Sequence, residues 1–97
     1  MAVHELKILP EYYKAIMHKG KSFELRKDDR GFEVGDQLRL RKYDPSIGND
    51  GEPYGYTGET IVATVTYILR DVPQYGLCEG YAILGLGRIR EEFRRPG

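Results

Sequence analysis

The sequence predicts a mainly β domain with one or two helices. Three observations carry that reading. Residues 37–43 alternate apolar and charged side chains, the period-two signature of a half-buried strand. Residues 59–69 form the longest β-branched run, with Ile61, Val62, Val65 and Ile68 among threonines at 60, 64 and 66. Only one stretch, 10–19, repeats its apolar residues at helical spacing. The chain has 97 residues, enough for one domain with a core at about 3–88 and a charged tail at 89–97.

The first strand is expected at 4–9. His4, Leu6 and Ile8 share a face, and Glu5 and Lys7 take the other. His4 fits either a packed structural histidine or a polar group at a cleft mouth, where its two nitrogens can meet a ligand. Pro10 then suits a first helical position, because its missing N–H would be unpaired there anyway. Glu11 complements the helix dipole, and Tyr12, Tyr13, Ile16 and Met17 form one apolar stripe. Gly20 fits the left-handed residue that ends a helix.

The strand at 21–27 holds the most informative residues. Phe23 and Leu25 alternate with Ser22, Glu24 and Arg26. Phe23 and Leu25 are expected to face the core, leaving the charged groups on the opposite face. If that apolar face closes a small barrel, Lys21, Glu24 and Arg26 crowd a rim or cleft near the helix end. The same residues also fit an ordinary surface ion pair. Asp28-Asp29-Arg30-Gly31 reads as a turn, Phe32 and Val34 as plugs beneath the barrel, and Val34-Gly35-Asp36 as a second turn. These turns are expected to bring the next strand back beside the charged one.

In the strand at 37–43, Leu38 and Leu40 face in while Arg39, Arg41 and Tyr43 face out. Two arginines and a tyrosine on one face suit phosphate and a stacked base, or a solvated face that discourages edge pairing. Residues 44–58, rich in Gly, Pro, Asn and Asp, read as a long hairpin excursion carrying Tyr54 and Tyr56, either over a ligand or across the barrel. Residues 74–80 are an irregular return, 81–86 a final short strand, and 88–97 a short terminal helix or a frayed tail.

Composition narrows the function classes. Fifteen basic residues balance fifteen acidic ones, so any nucleic-acid affinity must come from a local patch. No apolar run reaches the roughly 18 residues of a membrane span. With no signal-peptide pattern at the N-terminus, a cytoplasmic setting without membrane contact is expected. The single cysteine, Cys78, excludes an internal disulfide and a cysteine-cluster metal site, and reads as an inert filler. His4 and His18 lie on different elements without ligand spacing, so neither a metal nor a cofactor is expected. Eight tyrosines without a tryptophan serve cores and stacking platforms alike.

Gly20-Lys21, Glu24 and Arg26 at a helix-to-strand junction resemble the G-x-K-x-x-E-x-R signature of the ASCH domain, a member of the PUA-like superfamily. Here the spacing is one residue shorter at the start, and K-x-x-E-x-R is kept. His4-Glu5-Leu6-Lys7, the block from Phe23 to Arg30, Val34-Gly35-Asp36 and the block from Tyr81 to Gly85 resemble more closely the branch catalogued as DUF3850, found in bacteria and their phages. The resemblance spans residues 4–86. It implies a five- or six-stranded, partly open β-barrel with a helix beside a cleft, and binding of RNA or a nucleotide there. By this analogy Lys21, Glu24 and Arg26 line the cleft with His4 as a neighbour; the residue pattern itself adds Ser22 on the same strand face, and Arg39, Arg41, Tyr54 and Tyr56 as secondary surface contacts. Two alternatives stand beside it. One ASCH relative is an amidohydrolase that deacetylates N4-acetylcytidine; it shares the motif lysine, and its threonine nucleophile aligns with Glu24, which makes Lys21 and Glu24 the groups an enzyme would use. The other is a bacterial or phage accessory domain that contacts a protein, in which the motif ties helix to barrel. Oligomeric state is open.

Overall fold

The computed structural model describes residues 1–47 and 55–93. Five strands and one helix follow in the order β1 (Val3–Ile8), α1 (Pro10–His18), β2 (Phe23–Lys27), β3 (Gln37–Tyr43), β4 (Tyr56–Leu69) and β5 (Tyr81–Phe93), with a 3-10 turn at Pro73–Tyr75. The strands form one sheet in the order β1-β3-β4-β5-β2, curled into a half-barrel. All neighbours are antiparallel except β1 and β3.

This order corrects one expectation. β3 returns beside β1, not beside the charged strand, and β2 lies at the far edge against β5. The long β4 and β5 leave room for β2 on β5's free side. Helix α1 connects β1 at one sheet edge to β2 at the other. Its Tyr13 and Ile16 join Leu6, Ile8, Leu38, Leu40, Ile61, Val65 and Leu84 in a single core. Tyr12, one residue away, points elsewhere and is exposed. The helix ends as its sequence predicts: Lys19 caps it, and Gly20 takes a φ of 75°.

β4 is the central strand, its Ile61, Val62, Ala63 and Val65 all buried. Two register shifts between β4 and β5 bend the pair, as bulges do in small barrels. Between them, a Cβ on Gly87 would lie 2.7 Å from Thr66 Cγ2, so any side chain there would have to displace the threonine. β5 does not stop at residue 86. It continues as a paired strand to Phe93, with Glu59 opposite Phe93 and Val62 opposite Arg90, so residues 88–93 are neither a terminal helix nor frayed. Their alternating Ile89, Glu91 and Phe93 extend the strand pattern that the charge density masks. Residues 94–97, the rest of that tail with Arg94 and Arg95, lie outside the described residues.

The segment between β2 and β3 is pinned from both ends. Arg70, just after β4, donates Nε and Nη2 to the two oxygens of Asp28 (2.6 and 3.2 Å) and Nη2 again to the Phe32 carbonyl (3.2 Å). Phe32 plugs the core as expected, whereas Val34 is 62% exposed and does not. Val34 lies in the turn closed by Asp36 N–H on the Glu33 carbonyl, which directs it outward. Cys78 is exposed, so it fills no space in the core. Among the described residues no helix is long and apolar enough to cross a membrane.

Candidate functional site

The site grows out of an inversion on β2. Phe23 and Leu25, expected in the core, are 45% and 56% exposed, while Glu24 is only 4% exposed. The register shows why. Glu24 stands opposite Leu84 and Arg26 opposite Ala82, both fully buried, so the charged residues share the inner face. Successive side chains on a strand point to opposite faces, so in this single curled sheet turning Glu24 and Arg26 inward turns Phe23 and Leu25 outward. The chain buries the charged face because its charges neutralise one another there.

The neutralisation is a triad. Lys21 Nζ donates to one oxygen of Glu24, and Arg26 Nε donates to the other at 2.9 Å. Both carboxylate oxygens are thus paired, and no buried side-chain polar atom among the described residues lacks a partner. A buried carboxylate without such partners would cost several kcal/mol. Arg26 has a second role: its Nη2 donates to the main-chain carbonyl of Lys7 on β1. β1 and β2 are the two free edges of the sheet, so this bond spans the seam where the half-barrel stays open.

Beside the triad lies a cleft of about 450 Å³. Ile8 and Leu9 from the end of β1, Tyr12 from α1, and Phe23 and Leu25 from β2 form its walls, with Lys21, Glu24 and Arg26 on its floor. Lys21 Nζ stands 5.0 Å from the Phe23 ring centroid and 5.5 Å from that of Tyr12. The formal charge of the triad is one positive, framed by two aromatic rings and aliphatic groups. Such a site suits a flat, partly polar ligand that carries or accepts negative charge.

The structure therefore brings Lys21, Glu24 and Arg26 together, and separates two residues expected near them. Ser22 is exposed and does not line the cleft; its carbonyl accepts from Leu86 N–H at 2.9 Å. His4 is three residues before Lys7 on β1, roughly 10 Å of strand away. Its Nε2 donates to Asp36 Oδ2 at 2.8 Å and its ring packs edge-on against Phe32 at 4.7 Å. Asp36 also accepts from the backbone N–H of Ala2 (3.0 Å) and Glu33 (2.9 Å). These donors, the Ala2 amide first and His4 next, hold the Asp36 carboxyl down at about 2, below the ordinary 3.8.

The outer face of β3 carries Arg39, Arg41 and Tyr43, as alternation predicts. Arg39 is occupied by carboxylates, with Glu92 at 2.9 Å and Glu5 at 3.7 Å. Arg41 also pairs with Glu5, at 3.5 Å, and its guanidinium lies 4.0 Å from the centroid of the Tyr56 ring. Lys7 Nζ lies 4.4 Å over Tyr43, whose ring meets Tyr56 edge-on at 5.1 Å. Tyr54 lies outside the described residues.

Sequence reasoning did not reach the cleft walls Leu9, Tyr12, Phe23 and Leu25, or the carbonyl of Lys7. A helical wheel could have separated Tyr12 from Tyr13, since adjacent residues point about 100° apart. Nothing local could have revealed the Lys7 carbonyl, which matters only because two distant edges meet.

No curated protein matches the sequence. The family described as "Domain of unknown function (DUF3850)" matches residues 3–86, which include every residue of the triad and all the cleft walls. The chain belongs to the DUF3850 family.

Proposed function

We propose that this protein is a binding module for RNA or a nucleotide, and that the seam cleft is where it binds. The observation that carries the reading is the Lys21–Glu24–Arg26 triad on the floor of an aromatic-walled cleft. Its parts match the needs of a nucleobase with an attached phosphate. Tyr12 and Phe23 offer ring surface for stacking. Glu24 accepts from an exocyclic amine, as carboxylates do with cytosine. Lys21 and the unused N–H groups of Arg26 donate to a base carbonyl or phosphate oxygen. The resemblance of K-x-x-E-x-R to the ASCH signature supports the same reading, and a cytoplasmic setting accords with it.

Hydrolysis of a modified nucleoside has less behind it. Both oxygens of Glu24 already accept from cations, which leaves a poor general base. The nearest hydroxyl on the strand, that of Ser22, lies off the cleft.

A backbone amide NMR titration with short mixed-sequence single-stranded RNA at moderate salt tests the proposal. Saturable shifts are expected at Tyr12 and across residues 20–26. Lys21→Ala and Arg26→Ala are each expected to weaken binding about tenfold, in line with the loss of one charge-assisted hydrogen bond. Arg26→Lys is expected to recover little, because a lysine cannot serve Glu24 and the Lys7 carbonyl as a planar fork does. Shifts confined to Arg39 and the far outer face, or unchanged affinity in both alanine variants, would overturn the cleft assignment.

A further inference from the structure

A second cavity, about 350 Å³, adjoins the seam cleft. Lys7 and Arg26 line both, so the two meet at the bond from Arg26 to the Lys7 carbonyl. The second cavity differs in character. Lys7, Arg26, Arg30 and Arg41 line it against a single carboxylate, Glu5. In a chain whose formal net charge is zero, that is a marked local excess of positive charge. Among the described residues neither Lys7 nor Arg30 has a carboxylate within salt-bridge distance. Lys7 lies over the Tyr43 ring at 4.4 Å, and Arg41 over the Tyr56 ring at 4.0 Å beside a 3.5 Å contact to Glu5. A ring face attracts a cation without accepting a conventional hydrogen bond from it, and both cations line the cavity. Arg39, two residues from Arg41, shares Glu5 with it but is also held by Glu92 at 2.9 Å, and it is not among this cavity's lining residues.

We infer that the two cavities form one continuous site for single-stranded nucleic acid, with a base in the seam cleft and the adjoining phosphodiester over Lys7, Arg30 and Arg41. The inference rests on the nucleotide-binding reading of the cleft and narrows its ligand class: the ligand is a strand, not a free nucleoside. Arg26 is the hinge of the site, since it faces the base on one side and the phosphate on the other. The base supplies stacking and hydrogen bonds in the apolar half. The backbone supplies the charge that the cationic half lacks.

The test compares four probes on the full chain: a nucleoside, its 5′-monophosphate, and a tetranucleotide of the same base as RNA and as DNA. The tetranucleotide is expected to bind at least tenfold more tightly than the monophosphate in one or both backbones, and their ratio tells which backbone is preferred. The double variant Arg30→Ala/Arg41→Ala is expected to keep its melting temperature and its affinity for the nucleoside, which carries no phosphate, but to lose the tetranucleotide advantage. Its slope of log K against log salt should fall by about 0.7 for each phosphate contact removed. If nucleoside and tetranucleotide bind equally and Lys21→Ala weakens both, the strand inference fails while the cleft reading survives. If no probe binds, or Lys21→Ala changes nothing, the cleft reading fails and takes this inference with it.

Discussion

Two carboxylates are buried among the described residues, and they do different things. Asp36 is 3% exposed and Glu24 4%, so burial does not distinguish them. Their partners do. Asp36 accepts from two backbone amides and from His4, groups that the fold itself holds in place. Glu24 accepts only from the ends of two long side chains, Lys21 and Arg26, beside an open cleft. A carboxylate satisfied by main-chain N–H groups is locked, because moving its partners means unfolding the turn. A carboxylate satisfied by lysine and arginine tips can trade partners with a ligand at small cost, because those tips turn about several bonds. Burial with fixed partners marks a structural lock, and burial with mobile partners beside a cavity marks a site.

That contrast is most exposed to failure at Asp36. Asp36→Asn turns an acceptor-only group into one that must aim a donor at other donors. We expect a loss of about 2–3 kcal/mol in chemical denaturation, the cost of leaving buried amide groups unsatisfied. Nucleic-acid affinity of the folded fraction should not change. The pH dependence follows from the depressed pKa. With a folded value near 2 and an ordinary value of 3.8, the contribution of Asp36 is complete above about pH 4 and is lost as pH falls through about 2. The stability of Asp36→Asn should therefore decline less steeply than wild type between those limits. A loss below about 0.5 kcal/mol would put Asp36 with ordinary surface groups and remove one side of the comparison.

Glu24→Gln sharpens the other side. It keeps the shape of the side chain and removes the charge that Lys21 and Arg26 share. We expect a smaller stability loss than at Asp36, about 1 kcal/mol, because the two cations can turn to water. Affinity for single-stranded RNA is expected to fall about tenfold. Thermal melting and a binding isotherm on the same sample separate the two effects. A stability loss equal to that of Asp36→Asn, with no ligand found, would make the motif a tie between helix and barrel and favour a protein-contact domain.

The smallest effect is expected at Arg39. Its guanidinium is shared by Glu5 and Glu92 on a partly solvated face. Arg39→Ala should leave the melting temperature nearly unchanged and weaken RNA binding by about twofold at low salt only, since exposed charges are screened beyond about 10 Å at 0.1 M. A larger loss that persists at higher salt would extend the ligand path across the outer face of β3.

Local patterns identified most elements. The helix was legible from Pro10 at its start, Gly20 at its end and a periodic stripe between them. β3 was legible from its alternation, and β4 as the central strand from its β-branched run. The continuation of β5 to Phe93 was hidden because its outward residues are charged, and charge density reads as a tail when the pairing partner is unknown. Of the site, the triad was legible as a motif, but its burial was not. Phe23 and Leu25 looked like core beside Glu24 and Arg26, and hydrophobicity alone favours that choice. His4 was placed by its face and not by its partner, since Asp36 is 32 residues away in the chain.

Sequence by itself determined what local physics controls: where the helix stops, which residues alternate, and which three charged groups stand close together on one short segment. Tertiary structure decided which face of β2 is inside, that β1 and β2 become the two edges of one curled sheet, and that Arg26 reaches across their seam to the Lys7 carbonyl. The reason is that a strand's preference for one face is a difference between two large terms. Burying Phe23 and Leu25 would gain hydrophobic free energy, and burying Glu24 costs desolvation unless two cations meet it. The two cations are local in the sequence, but the covering helix and the opposite edge that enclose them exist only in the folded chain, so only the folded chain chooses.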